Sequence, residues 1–173
     1  MIATFVQDDL RDELSKIFAH FRLRGPDGEV SQIKIFEQSL PVPEAQDIPD
    51  TVTDEELDEG TYDAKAKYAQ FPYIIVRIID GEILNIDAEQ SVDIQLLIGV
   101  VDRSHDNQGH KDVLNIIQKI YERFSKNPIL AHKYECMMPI QWALQEEESF
   151  PFFFGGMALR FETAPITRED TNI

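Results

Sequence analysis

Four histidines, one cysteine and thirty-two acids are the groups that could do chemistry in this chain. His105-Asp106 and His110-Lys111-Asp112 bring two imidazoles and two carboxylates near one helix start. Such a set could hold a divalent metal. The gap between the histidines, however, places them on neither one helical face nor a tight loop of known ligand spacing. Acids at a helix start have a simpler use. They accept hydrogen bonds from the free amides and meet the positive end of the dipole. Capping, with Asp106 or Asn107 before the helix, is therefore the preferred reading. Asp102 to Asp106 opens like a calcium loop, but an EF-hand needs glycine at its sixth position and a bidentate glutamate at its twelfth. Asn107 and Val113 stand there instead.

Nucleophilic chemistry has no better footing. The chain lacks Gly-x-Ser-x-Gly, a P-loop and a glycine-rich dinucleotide turn. Cys136 lies in an apolar run without a neighbouring cation, which predicts an inert core thiol. As the sole cysteine it allows no intrachain disulfide, which fits a reducing compartment. Glu146-Glu147-Glu148 reads as a solvated turn, because paired-carboxylate hydrolysis needs two acids held across a cleft. No catalytic, metal-binding or cofactor-binding residue is predicted, and a non-enzymatic role is expected.

Phe150, Phe152, Phe153 and Phe154 crowd five positions ahead of Gly155-Gly156. Two readings stand side by side. The rings plug the edge of the core where the last hairpin turns, or some are exposed and bury against another subunit. Stacking of single-stranded nucleic acid would need a basic groove as well.

The charge balance disfavours that last use. Lys and Arg number 16 against 32 acids, a net charge of −16 over 173 residues. A phosphate backbone or an anionic membrane surface would repel such a chain. Hydrophobic residues make up 43%, enough for a real core. Nine acids (Glu44, Asp47, Asp50, Asp54, Glu55, Glu56, Asp58, Glu59 and Asp63) fall between Pro41 and Asp63 without one Lys or Arg. That segment, 41–63, is read as a long acidic loop insertion. The N-terminus has neither a basic nor an apolar signal region, and no apolar run approaches membrane-spanning length.

The elements that must position these groups follow from periodicity. Phe5, Val6, Leu10, Leu14, Ile17, Phe18 and Phe21 mark a first helix, with Thr4 and Gln7 as a capping box. Gly25 to Gly28 forces a turn, and Val30 to Phe36 alternates as one strand. Tyr73 to Ile79 and Ser91 to Val101 are strong strands. Val113 to Phe124 marks a second helix that Asn127-Pro128 ends. Cys136 to Leu144 is a strand whose Pro139 implies an edge or a bulge. Met157 to Thr163 is the last strand, and 164–173 a loose tail. The whole chain, 1–173, reads as one α+β domain: two helices packed on one mostly antiparallel sheet of about five strands.

The segment from Asp102 through Pro128, with Gly109-His110-Lys111-Asp112-Val113-Leu114-Asn115-Ile116-Ile117 within it, resembles a segment of bacteriophage tail terminator and tail-completion proteins. There a strand feeds, through an aspartate-containing loop, a helix of Gly-x-x-Asp-Val-Leu-Asn-x-Ile type. Phe71-Pro72-Tyr73, the Asp80-Gly81 turn, Pro139 to Trp142 and the run from Phe154 to Glu162 are similar too. The resemblance spans about Phe71 to Ala164 and does not map onto the acidic insertion. It implies a structural protein of the virion without enzymatic activity or cofactor. That protein would form a homohexameric ring on the last ring of major tail-tube protein, stop tube polymerisation and present a surface to the head-tail connector. Assembly would take place in the bacterial host cytoplasm. Expected interface elements are the acidic loop (Asp54, Glu55, Glu56, Asp58, Glu59), the Pro139 strand and the aromatic run (Phe150, Phe152, Phe153, Phe154). A neck or minor-capsid component is the alternative within the same class. A small acidic regulator or inhibitor, its loop covering a basic partner, is the alternative outside it.

Overall fold

The computed structural model of the protein describes residues 2–25, 28–42, 69–85 and 87–165. In chain order the elements are α1 (Ile2–Ile17), β1 (Arg22–Arg24), β2 (Val30–Gln32), β3 (Lys34–Glu37), β4 (Tyr73–Ile83), β5 (Gln90–Val101), α2 (His110–Lys126), β6 (Ile129–Leu130), β7 (Tyr134–Leu144) and β8 (Phe152–Thr163). The main sheet has six strands in the order β3-β4-β5-β8-β7-β6. Only β3 with β4 is parallel; the other neighbours are antiparallel. A separate two-stranded hairpin joins β1 to β2. The architecture is α+β, with a sheet larger than the five strands expected.

Both helices cover one face of the sheet, and the sequence explains why. Val6, Leu10 and Leu14 repeat every four residues along α1, and Val113, Ile116, Ile117, Ile120 and Phe124 do the same on α2. On β5, alternate residues Val92, Ile94, Leu96, Ile98 and Val100 point at them, joined by Met157, Leu159 and Phe161 of β8. Phe161 is fully buried and meets Phe124 edge-on, centroids 5.6 Å apart at 73°. Glu13 of α1 and Arg123 of α2 form an ion pair that ties the helices together.

Two predicted caps do not form. Thr4 lies inside α1, which already begins at Ile2, so no capping box is built there. Gln7 instead turns inward. It is buried, and its Nε2 donates to the Val76 carbonyl at 2.7 Å and to Gln38 Oε1 at 3.2 Å, fixing α1 to the sheet. At α2 the cap is Gly109, without a side-chain cap bond. Asp106 and Asp102 close turns in the preceding loop, accepting from Gln108 N–H at 3.3 Å and Ser104 N–H at 2.9 Å.

The expected strand Val30–Phe36 is broken at buried Ile33. Its first part pairs with β1 and its second with β4, in different sheets. The last strand starts at Phe152 rather than Met157, so Gly155 and Gly156 lie within it. Gly155 is required there by close approach: a Cβ would sit 2.5 Å from Val113 Cγ1 of α2. The sheet's second face is only partly covered. Phe71, Tyr73, Ile75 and Val101 form a smaller apolar cluster at one end.

Candidate assembly interface

The four phenylalanines diverge because strand residues alternate between faces. Phe153 turns to the helix side, where it would meet a Cβ on Gly109 at 2.4 Å. Phe152 and Phe154 turn to the other face and pack on Phe71, at centroid distances of 4.9 and 5.8 Å. Phe150 precedes the strand and is 52% exposed. Three rings therefore plug the sheet, and one faces outward.

Phe150 lines a pocket with Leu144, the last residue of β7, and β7 itself carries exposed apolar side chains. Met138 is 58% and Trp142 57% exposed. From Cys136 to Gln145 the chain carries no charged side chain, in a protein of which 28% is charged. Proteins ordinarily protect a sheet edge with charge, proline or a bulge. Here Pro139 lies in a register shift between Met137 and Gln141, where β7 takes four steps against two on β8. The irregular stretch protects that part of the edge only. Gln141 to Leu144 regains regular pairing with Ala158 to Gly155, and among the described residues its outer side carries no strand.

Beside this edge the open sheet face forms a shallow trough of about 560 Å³, bordered by Ile79, Gln95, Met138, Gln141, Ala158 and Arg160. Arg160, one of its lining residues, is held by several partners. Its guanidinium donates to Ser91 Oγ at 2.7 Å and to Asp93 at 3.2 Å, and pairs with Glu82 at 3.5 Å. That cation is thus balanced by the sheet's own acids.

The other predicted residues fall elsewhere. Asp54, Glu55, Glu56, Asp58 and Glu59 lie outside the described residues. His105 is exposed in the loop before α2, and His110 is the first residue of the helix. Among the described residues, no group of three or more His, Cys, Asp or Glu could hold a metal ion. Burial, and then the nearby Asp102 charge, raises the Asp112 carboxyl pKa above its ordinary value. Burial likewise pushes the Cys136 thiol up to about 11, against the smaller opposing pull of Arg123. Such a thiol is protonated at neutral pH and is a poor nucleophile. No described helix is long and apolar enough to cross a membrane.

Sequence reasoning missed β3 as an edge strand separate from β2, and it missed β6. Strands of four and two residues are too short to show a period. No known family model matches the chain, and a search of characterised proteins found no match.

Proposed function

We propose that this protein is a virion assembly protein of a long-tailed bacteriophage, a tail terminator that caps the tail tube as a ring of identical subunits. The observation that carries the assembly reading is the uncharged, exposed stretch of β7 with Met138 and Trp142, together with exposed Phe150 in the loop that follows. Exposed aromatic and methionine side chains away from charge are what protein–protein interfaces bury. The resemblance supplies the type of assembly. It falls on one contiguous structural unit, from β4 through β8 with α2 between.

The mechanism is capping by mismatch. Each subunit meets its neighbour through one pair of surfaces and the tube through another. Contacts between unlike surfaces close into a ring when the rotation between copies closes. Once the ring is seated, an arriving tube subunit finds no complementary surface. The acidic segment 41–63 would crowd a ring unless it points outward or meets basic partner surfaces. Binding to the tube should then depend on salt.

The test is an assembly assay with purified major tail-tube protein. A terminator binds tube ends and shortens the length distribution as its concentration rises. Tubes that grow to the same length with or without it refute the reading. Co-sedimentation with tail-less capsids instead of tubes would assign the protein to the neck. Deleting 41–63 tests the regulator alternative: tube capping survives the deletion if the ring reading holds, whereas binding to a basic partner is lost if the loop alone carries function.

A further inference from the structure

Among the described residues the six-stranded sheet ends in two open edges, and the backbone shows which groups are free. Gln145 N–H donates to the Phe154 carbonyl at 3.0 Å. Bonded residues alternate along an antiparallel pair, so Trp142 and Leu144 turn their N–H and C=O away from β8. At the opposite end, Lys34 and Gln38 donate inward to the Pro72 and Val76 carbonyls at 3.0 and 2.9 Å. Ile35 and Glu37 between them turn outward. The Glu37 carbonyl accepts from Ser39 N–H at 2.7 Å, which leaves both groups of Ile35 and the N–H of Glu37.

Neighbouring edge positions are closed by side chains. Arg123 donates to the Ile129 carbonyl at 3.2 Å, and Ile129 N–H donates to Asn127 Oδ1 at 3.0 Å, which blocks β6. Gln38 takes both backbone groups of Ile78, at 3.1 and 3.2 Å, and Asp80 accepts from Gly81 N–H at 2.8 Å, which blunts β4. The outer sides of β3 and of β7 from Gln141 to Leu144 are left open.

We infer that these two edges belong to each other: β7 of one copy pairs antiparallel with β3 of the next, so that the sheet continues from subunit to subunit. The inference deepens the ring reading and rests on it for closure. Three observations favour a second copy as the occupant. Strand direction alternates from β4 to β7, and β3 runs with β4, so β7 and β3 are opposed. Two copies side by side in the same sense therefore present an antiparallel pair. The lengths match, since β3 has four residues and the regular open part of β7 runs from Gln141 to Leu144. The charges match as well. Antiparallel pairing brings Lys34 to the Leu144 end, where exposed Glu146, Glu147 and Glu148 follow, and exposed Arg22 and Arg24 of the β1–β2 hairpin precede Lys34. Main-chain bonds would give affinity and the charged ends the register.

Cysteine cross-linking of the full-length protein tests the pairing. Lys34, Ala143 and Gln145 are exposed and share the sheet face away from the helices. The double variants Lys34→Cys/Gln145→Cys and Lys34→Cys/Ala143→Cys are oxidised beside the three single variants. The expected result is a ladder of covalent oligomers from at least one double variant and nothing beyond dimers from the singles. Reversing Glu146, Glu147 and Glu148 to Lys should weaken self-association about tenfold or more at low salt. Circular dichroism checks that the variants fold. A wild-type oligomer with no ladder from either pair overturns the proposal, and so does a wild-type protein that stays monomeric at every concentration. Tube capping has a separate readout: a ladder without any effect on tube length would refute the terminator reading and leave the pairing intact.

Discussion

Gly155 and Gly156 are neighbours with opposite fates on substitution, and comparing them tests the packing of α2 on β8. A Cβ at Gly155 would lie 2.5 Å from Val113 Cγ1 and 3.2 Å from the Ala143 carbonyl. Carbon atoms rest at about 3.5–4.0 Å, so Gly155→Ala must open roughly 1 Å of space. Val113 is fully buried between α2 and the sheet, and Ile116 and Ile117 beyond it leave it little room to turn. The helix has to shift, at an overpacking cost of about 1–3 kcal/mol. For a chain of this size that lowers Tm by roughly 3–10 °C. A Cβ at Gly156 faces the open side, 3.5 Å from the Leu96 carbonyl, an ordinary contact. Gly156→Ala removes freedom from the unfolded chain without a clash and should stabilise by about 0.4–1 kcal/mol. Urea titration and thermal melts of both variants supply the measurement. Equal shifts in the two variants, or a stabilised Gly155→Ala, would refute this account of helix seating.

Phe161→Ala removes a fully buried ring from the Phe124 contact and should cost about 3–5 kcal/mol by denaturant titration. Gln7→Leu loses two buried hydrogen bonds, yet the Val76 carbonyl keeps its bond from Gln38 N–H. The expected loss is therefore only about 1–2 kcal/mol, and a double-mutant cycle with Gln38→Ala should give a non-additive remainder. Cys136 should stay unreactive to a thiol reagent at neutral pH until the protein unfolds. Its folded pKa of about 11 exceeds the ordinary 9.0, so the unfolded chain ionises first. Stability then falls as pH rises from 9.0 to about 11, and Cys136→Ala should flatten that part of the profile.

Much of the helix face was legible because it repeats in register with the backbone. The four-residue steps of Val6, Leu10 and Leu14 and the alternation from Val92 to Ile98 are visible in the sequence itself and fall on buried residues. Failures came where local pattern and tertiary pairing part. Alternation runs unbroken through Ile33, so nothing local marks the change of sheet there. Phe152 to Phe154 shows no period because both faces of β8 are apolar at that point, and Gly155-Gly156 reads locally as a turn although packing against Val113 requires it. Gln7 has the spacing of a capping partner, and only the arrival of Val76 explains why it turns inward. The candidate interface was legible in part. Pro139 and Phe150 mark the part of β7 and its following loop where apolar side chains are exposed, while the free groups of β3 depend on which strands lack neighbours.

The parallel pairing of β3 with β4 constrains what lies between them. A hairpin cannot join parallel strands, so the connection between Glu37 and Tyr73 has to bring the chain back to the end of the sheet where β3 starts. In sequence, the acidic segment 41–63 belongs to this connection. Loop closure changes slowly with length, and cutting 41–63 out of it would alter the closure term by only about 1 kcal/mol. The sheet needs a return, and a much shorter one would serve. The crossover is thus the place where this chain can be lengthened, shortened or recharged while the strand order stays the same. Related assemblies could exchange this one segment to suit different partners and keep the subunit beneath it.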